Sequence, residues 1–151
     1  MVLLEPVDEA DAAAPQFVEQ RVKAEAGDAV ARFKMAGFYA RGEGVAQDLV
    51  EAARWLKLAA EQGYAPAQNN LAVCYSTGAG VPKDQGKAIE WIRKSAEQGY
   101  ARAQCYLGLS YAKGEGVPRD QAQALDWFRK SAAQGFPDAL NHLGYCHSQG
   151  R

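Results

Sequence analysis

In residues 65–100, Ala67, Leu71, Ala72 and Tyr75 follow one another at i, i+4, i+5 and i+8. That spacing lines one face of a helix. A second stripe, Ala88, Trp91, Ile92, Ser95 and Ala96, runs at i, i+3, i+4, i+7 and i+8 and predicts a second helix. Between them stands TGAGVPKD. Gly78 sits where a helix end needs a left-handed residue, Pro82 cannot easily continue a helix, and Asp84 is placed to cap the next one. Asp48 with Glu51, and Asp120 with Gln123, have the capping-box spacing. The second helix is expected to stop at Gly99. Trp91 is expected to be buried, where truncation costs about 3–5 kcal/mol.

The same pattern returns every 36 residues: Trp55, Trp91 and Trp127; Gly63, Gly99 and Gly135; Gly42, Gly78, Gly114 and Gly150. Full units fall at 29–64, 65–100 and 101–136. Residues 137–151 repeat the first half of a unit, helix A, and residues 15–28 resemble the second half, helix B. Ala36, Ala72, Gly108 and Gly144 share one position of helix A, and Ala52, Ala88 and Ala124 share one of helix B. Small side chains let helix axes approach closely, and the tryptophans are expected to fill the space between units. A single unit cannot bury both faces of its helices, whereas a stack can.

Composition narrows the picture. The chain has 151 residues, 29 of them Ala and 15 Gly, but two Ile and one Thr, which disfavours a sheet. No apolar run approaches the ~18 residues of a membrane span. The formal net charge of −1 argues against nucleic acid as the main partner. That charge is unevenly placed, −5 over residues 1–28 and +4 over the rest. Residues 1–14 are expected to form an acidic, disordered tail, and one sharper reading has it covering a mildly basic surface. The start MVLLEPVDEADAAAP lacks the basic region of a secretory signal. Three cysteines, Cys74, Cys105 and Cys146, do not make a disulfide framework. Cytoplasmic residence is the default expectation, with export after signal removal the alternative.

The pattern A-x-A-x-x-x-L-G/A-x-x-Y-x-x-G-x-G-V-x-x-D-x-x-x-A-x-x-W-x-x-x-A/S-A-x-Q-G-Y resembles the Sel-1-like repeat, a relative of the tetratricopeptide repeat. The resemblance implies an all-α fold, a right-handed α/α superhelical solenoid of about 3.5 helix-pair repeats, and a bacterial adaptor or scaffold that binds other proteins without chemistry of its own. Some bacterial members bridge each unit with one disulfide. Cys105 falls on one position of that bridge, but Ala96 occupies the other, so all three cysteines are expected to be free.

Several chemical sites compete with that expectation. The loops RGEGV, TGAGV and KGEGV lack G-x-x-x-x-G-K-[ST] and recur with the repeat, so they read as helix stops rather than phosphate loops. His142 and Cys146, at i and i+4, with His147 beside them, lack the second cluster a metal site needs. Cys105 has no motif partner for nucleophilic catalysis. No catalytic, cofactor or metal site is expected.

The resemblance instead implies a concave groove lined by the A helices. Its first unit contributes Val30, Phe33, Lys34, Gly37 and Arg41, and its second Pro66, Asn69, Asn70, Val73 and Thr77. The third adds Arg102, Cys105, Tyr106, Leu109 and Lys113, and the last half-unit Asp138, Asn141, His142, Tyr145 and Gln149. These positions vary between units whereas the packing positions do not. The contact residues expected are Lys34, Asn69, Asn70, Arg102, Tyr106, Leu109, Lys113, His142 and Tyr145, since Tyr and Arg favour hot spots and Asn pairs with peptide backbone. Asn70 and Arg102 also resemble positions of a carboxylate clamp, from which Phe33 and Gly37 depart.

A non-enzymatic protein- or peptide-binding module is therefore the expected function. The alternatives are an immunity or inhibitor protein that blocks an effector, and a hydrolase of cell-wall or β-lactam substrates. Leu140, Leu143, Gly144 and Tyr145 lack a following helix, so a homodimer through the C-terminal end is a further expectation.

Overall fold

The computed structural model describes residues 15–149, and the acidic stretch 1–14 lies outside them. Among the described residues there are eight helices and no strand. They fall into two compact units divided between Lys83 and Asp84.

The first unit holds α1 (Pro15–Glu25), α2 (Ala29–Arg41), α3 (Leu49–Glu61) and α4 (Ala65–Thr77), each packed on the next. The second holds α5 (Gln85–Glu97), α6 (Ala101–Lys113), α7 (Gln121–Ala132) and α8 (Pro137–Ser148), packed in the same succession. The turn chemistry is as the sequence predicts. Gly42, Gly78 and Gly114 close α2, α4 and α6 in the left-handed region. Asp28, Asp48, Asp84 and Asp120 each accept a hydrogen bond from the backbone N–H three residues on.

Only half of each capping box forms. The Asp48 N–H donates to the Tyr39 carbonyl, and the Asp120 N–H to the Tyr111 carbonyl. The donors that a reciprocal side chain would satisfy are already used by the preceding helix. Glu51 is thereby left to pair with Arg54 through two bonds of 2.7 and 2.9 Å. That pairing holds the Glu51 carboxyl below its ordinary value.

Three of the four A helices carry one side chain that reaches eight residues back to a late carbonyl of helix B. Arg32 donates to Ala24, Gln68 to Ala60, and Gln104 to Ala96. A helix end leaves such carbonyls without intrahelical partners. Gln62 Nε2 donates to Gly27 and Gln134 Nε2 to Gly99, each 35 residues away in sequence. The Gln before the unit-ending Gly is thus, at Gln62 and Gln134, a bond that ties one repeat to the one before.

Of the expected small-residue positions, Ala36, Ala52, Ala72, Ala88, Gly108 and Ala124 are buried, whereas Gly144 is exposed. The tryptophans need correction. Trp55 is buried, but Trp91 and Trp127 are only half-buried. Lys94 Nζ lies 4.5 Å from the Trp91 ring centre and Lys130 Nζ 4.3 Å from that of Trp127. The large residue that fills the core is the next one along, Leu56, Ile92 or Phe128. The i+1 position is turned about 100° further round the helix, toward helix A.

Candidate functional site

In the first unit, Phe33, Lys34, Gly37, Phe38 and Arg41 of α2, Leu56 of α3 and Asn70 of α4 line a hollow of about 270 Å³. Gly37 creates it. The positions one, two and three repeats on carry Val73, Leu109 and Tyr145. With no side chain at Gly37, the Arg41 guanidinium folds back over the backbone, its terminal nitrogens 3.0 and 3.1 Å from where a Cβ would stand. Arg41 Nε donates to Glu43 at 2.7 Å. Asn70 Oδ1 accepts from Asn69 Nδ2, which turns the Asn70 amide nitrogen to other partners.

In the second unit, two hollows share Leu109 and Lys113. One, about 200 Å³, adds Tyr106, Ser110 and Glu115. The other, about 260 Å³, adds Gln121, Phe128, His142, Tyr145 and Cys146. The His142 ring stacks on the buried Phe128 ring, with centres 5.0 Å apart and planes inclined by 18°. Packing of the core therefore orients a side chain that faces the hollow.

Seven of the nine expected contact residues meet here, Lys34 and Asn70 in the first unit and Tyr106, Leu109, Lys113, His142 and Tyr145 in the second. Arg102 lines a separate hollow with Tyr100, Gln134 and Phe136, its guanidinium carbon 5.5 Å from the Phe136 ring centre. Asn69 was expected at the surface and is 1% exposed, and Cys105, in the same repeat position, is 4% exposed. Both sit three residues before a small packing position, Ala72 or Gly108, and so share its inward face. Phe38, Leu56 and Cys146 were missed. Phe38 and Leu56 were screened by their apolar character, and the glycine at position 37 is the signal that pointed to them.

The thiols are free. Burial pushes Cys105 up to about 11, with Asp138 adding to the rise and Arg102 opposing it. Burial also raises Cys74. An activated nucleophile needs the opposite shift. Among the described residues, no three His, Cys, Asp or Glu side chains gather where an ion could be held. No described helix is long and apolar enough to cross a membrane. The second glycine has a packing role in two of the loops: a Cβ on Gly80 would strike the Leu49 carbonyl, and one on Gly116 would lie 2.6 Å from Ile89. Leu140 and Tyr145 of α8 are 51% and 63% exposed.

Residues 29–64, 65–100, 101–136 and 137–151 each match the Sel1 repeat. The chain is similar to the structure of c5321, a protective antigen of uropathogenic Escherichia coli with an SLR fold, at 37% identity and a TM-score of 0.85. That match covers 89% of this chain but 29% of c5321. A Sel1 repeat protein from Oxalobacter formigenes is 38% identical, with a TM-score of 0.79, over 85% of this chain and 97% of its own. Helicobacter pylori cysteine rich protein B, at 21% identity and a TM-score of 0.65 over 88% of this chain and 93% of its own, shares the fold. Among curated proteins, none matches the chain.

Proposed function

Because the chain belongs to the Sel1 repeat family, whose all-α solenoids are in general protein–protein interaction modules, we propose that it is a non-enzymatic adaptor that holds a protein or peptide against its A helices. One observation carries this reading. The helix positions kept small in every full unit, Ala36, Ala72 and Gly108 with Ala52, Ala88 and Ala124, are buried, whereas several positions that differ gather in hollows: Lys34 and Asn70 in one unit, Tyr106, Leu109, Lys113, His142 and Tyr145 in the other. A side chain needed for stacking must repeat; one that touches a partner need not. The second-unit hollows combine two tyrosines, an aliphatic floor at Leu109 and both a cation, Lys113, and an anion, Glu115, a mixture suited to an extended peptide with apolar and polar side chains.

The test is titration calorimetry with a partner recovered by affinity capture and then purified. Tyr106→Ala and Tyr145→Ala should each weaken binding by tenfold or more while the helical circular dichroism is retained. Undiminished affinity in the double variant would reject the assignment of these hollows.

A further inference from the structure

His142 and Cys146 of α8 are the one histidine and cysteine of the chain that stand at i and i+4. At the same positions the other A helices carry Lys34 with Phe38, Asn70 with Cys74, and Tyr106 with Ser110. Stacking of repeats therefore does not require the pair. Both side chains line the hollow of about 260 Å³ in the second unit, so they face one space. Residues four apart on a helix stand about 5–6 Å apart at Cβ. One metal ion can bridge that separation, as it does between paired histidines of zinc-binding helices.

No competing bond occupies the donor atoms. Neither side chain forms a hydrogen bond among the described residues, and the Cys146 thiol is free. His142 is held through its ring face, stacked on Phe128 with centres 5.0 Å apart. The ring nitrogens lie at the edge of that plane, where a neutral imidazole keeps one lone pair for a ligand. Both side chains are partly exposed, and Tyr145 beside them is 63% exposed, so the pair can be reached from outside.

Two ligands leave a tetrahedral ion half coordinated. Among the described residues no third His, Cys, Asp or Glu joins them. The polar groups that share the hollow are Lys113, Gln121 and Tyr145. The Lys113 ammonium opposes a dication held by one thiolate. Two thiolates cancel the ion's charge and remove that opposition. A second copy of the chain supplies the second thiolate together with a second imidazole. A twofold axis beside α8 achieves this with one surface, because the same patch of each chain meets itself.

We propose that α8 carries half of a zinc site: His142 and Cys146 of two copies of this chain hold one zinc ion between them and join the copies. Two sulfurs and two imidazole nitrogens in a closed tetrahedron are a donor set that zinc favours. Each Cys146 releases its thiol proton to solvent as its sulfur binds the ion, and nothing is oxidised or reduced. The proposal does not rest on the peptide-binding reading above.

The test titrates zinc into the full chain, kept reduced by a phosphine that does not bind the ion, and follows mass by light scattering. The mass should double, with one zinc ion bound for every two chains. Cobalt(II) is the spectroscopic probe. It should give the intense visible bands of a tetrahedral ion and a thiolate-to-cobalt charge-transfer band. Cys146→Ser should remove that band and the doubling, and His142→Ala should remove the doubling, with helical circular dichroism retained. His147→Ala and Cys74→Ser should leave both signals in place. If His142→Ala loses helicity together with its ring stack, Cys146→Ser, which leaves the stack intact, decides alone. Zinc bound to each chain without a change in mass, no zinc binding at all, a dimer that forms equally without the ion, or doubling that survives Cys146→Ser overturns the proposal.

Discussion

Gly108 of α6 stands directly against the ring of Phe128 in α7: a Cβ at Gly108 would lie 2.8 Å from two ring carbons and 3.2 Å from the Ala124 carbonyl. Phe128 is 2% exposed and stacked on His142, so the ring has little room to retreat. Gly108→Ala should therefore destabilise the fold by about 1–3 kcal/mol, the usual range for overpacking, despite its gain in helix propensity. Gly144 holds the same repeat position in α8, where no heavy atom lies within 4 Å of the added Cβ. There Gly→Ala should stabilise by up to about 1 kcal/mol. Urea denaturation of the two variants should move the midpoint in opposite directions.

Gly80 and Gly63 separate close approach from backbone strain. Both have positive φ, +77° and +92°. A Cβ on Gly63 meets nothing within 4 Å, so Gly63→Ala should cost about 1 kcal/mol from conformation alone. A Cβ on Gly80 would strike the Leu49 carbonyl and come within 3.1 Å of Ala53. Gly80→Ala should cost at least about 2 kcal/mol more than Gly63→Ala. Similar thermal midpoints for the two would refute the packing role of the second loop glycine.

Phe128 and Trp127 mark where the sequence could be read and where it could not. The period of 36 is written in residues whose roles are local, such as the capping aspartates and the left-handed glycines, so the helix pairs were legible. The rotation of helix B was legible in the second repeat, where Ala88, Ile92, Ser95 and Ala96 are buried as the stripe predicts, but the Trp at its edge is half-exposed. The large ring drew attention to position 127, whereas its neighbour fills the core. Phe128→Ala should accordingly cost about 3–5 kcal/mol and Trp127→Ala clearly less, by chemical denaturation. The inward side of helix A was less legible. Asn69 and Cys105 look like surface residues in a variable position, yet both are buried. Lys34, Tyr106 and His142, which differ where stacking demands no difference, do line hollows.

Gln134 tests whether the bonds between repeats matter energetically. Its Nε2 donates to the Gly99 carbonyl at 2.8 Å and to Gln104 Oε1 at 3.0 Å. Gln104 in turn donates to the Ala96 carbonyl. Gln134→Ala should cost about 1 kcal/mol, the usual net value of such a bond. Because Gln104 is shared, the double variant Gln104→Ala/Gln134→Ala should depart from additivity by about 0.5 kcal/mol or more. Strict additivity in a denaturation cycle would show that the two bonds act independently.

Cys105 sets a pH dependence whose sign follows from burial. Its folded-state thiol is pushed up to about 11, from an ordinary value of 9.0. Between those values the native chain keeps the proton while the unfolded chain releases it. Stability from this group is thus fully present below pH 9 and is lost as pH rises toward 11. The difference between the parent and Cys105→Ala isolates the effect. The parent should lose about 1–2 kcal/mol more than Cys105→Ala between pH 8.5 and roughly 10.5. Thiol labelling adds a kinetic check. At pH 8, Cys105 should react only as fast as the fold opens, and urea below the transition should not expose it. Reaction of Cys105 at the rate of a free thiol would mean that α8 leaves α6 far more often than the packing of Ala139 and Leu143 on the Cys105–Phe128 core implies.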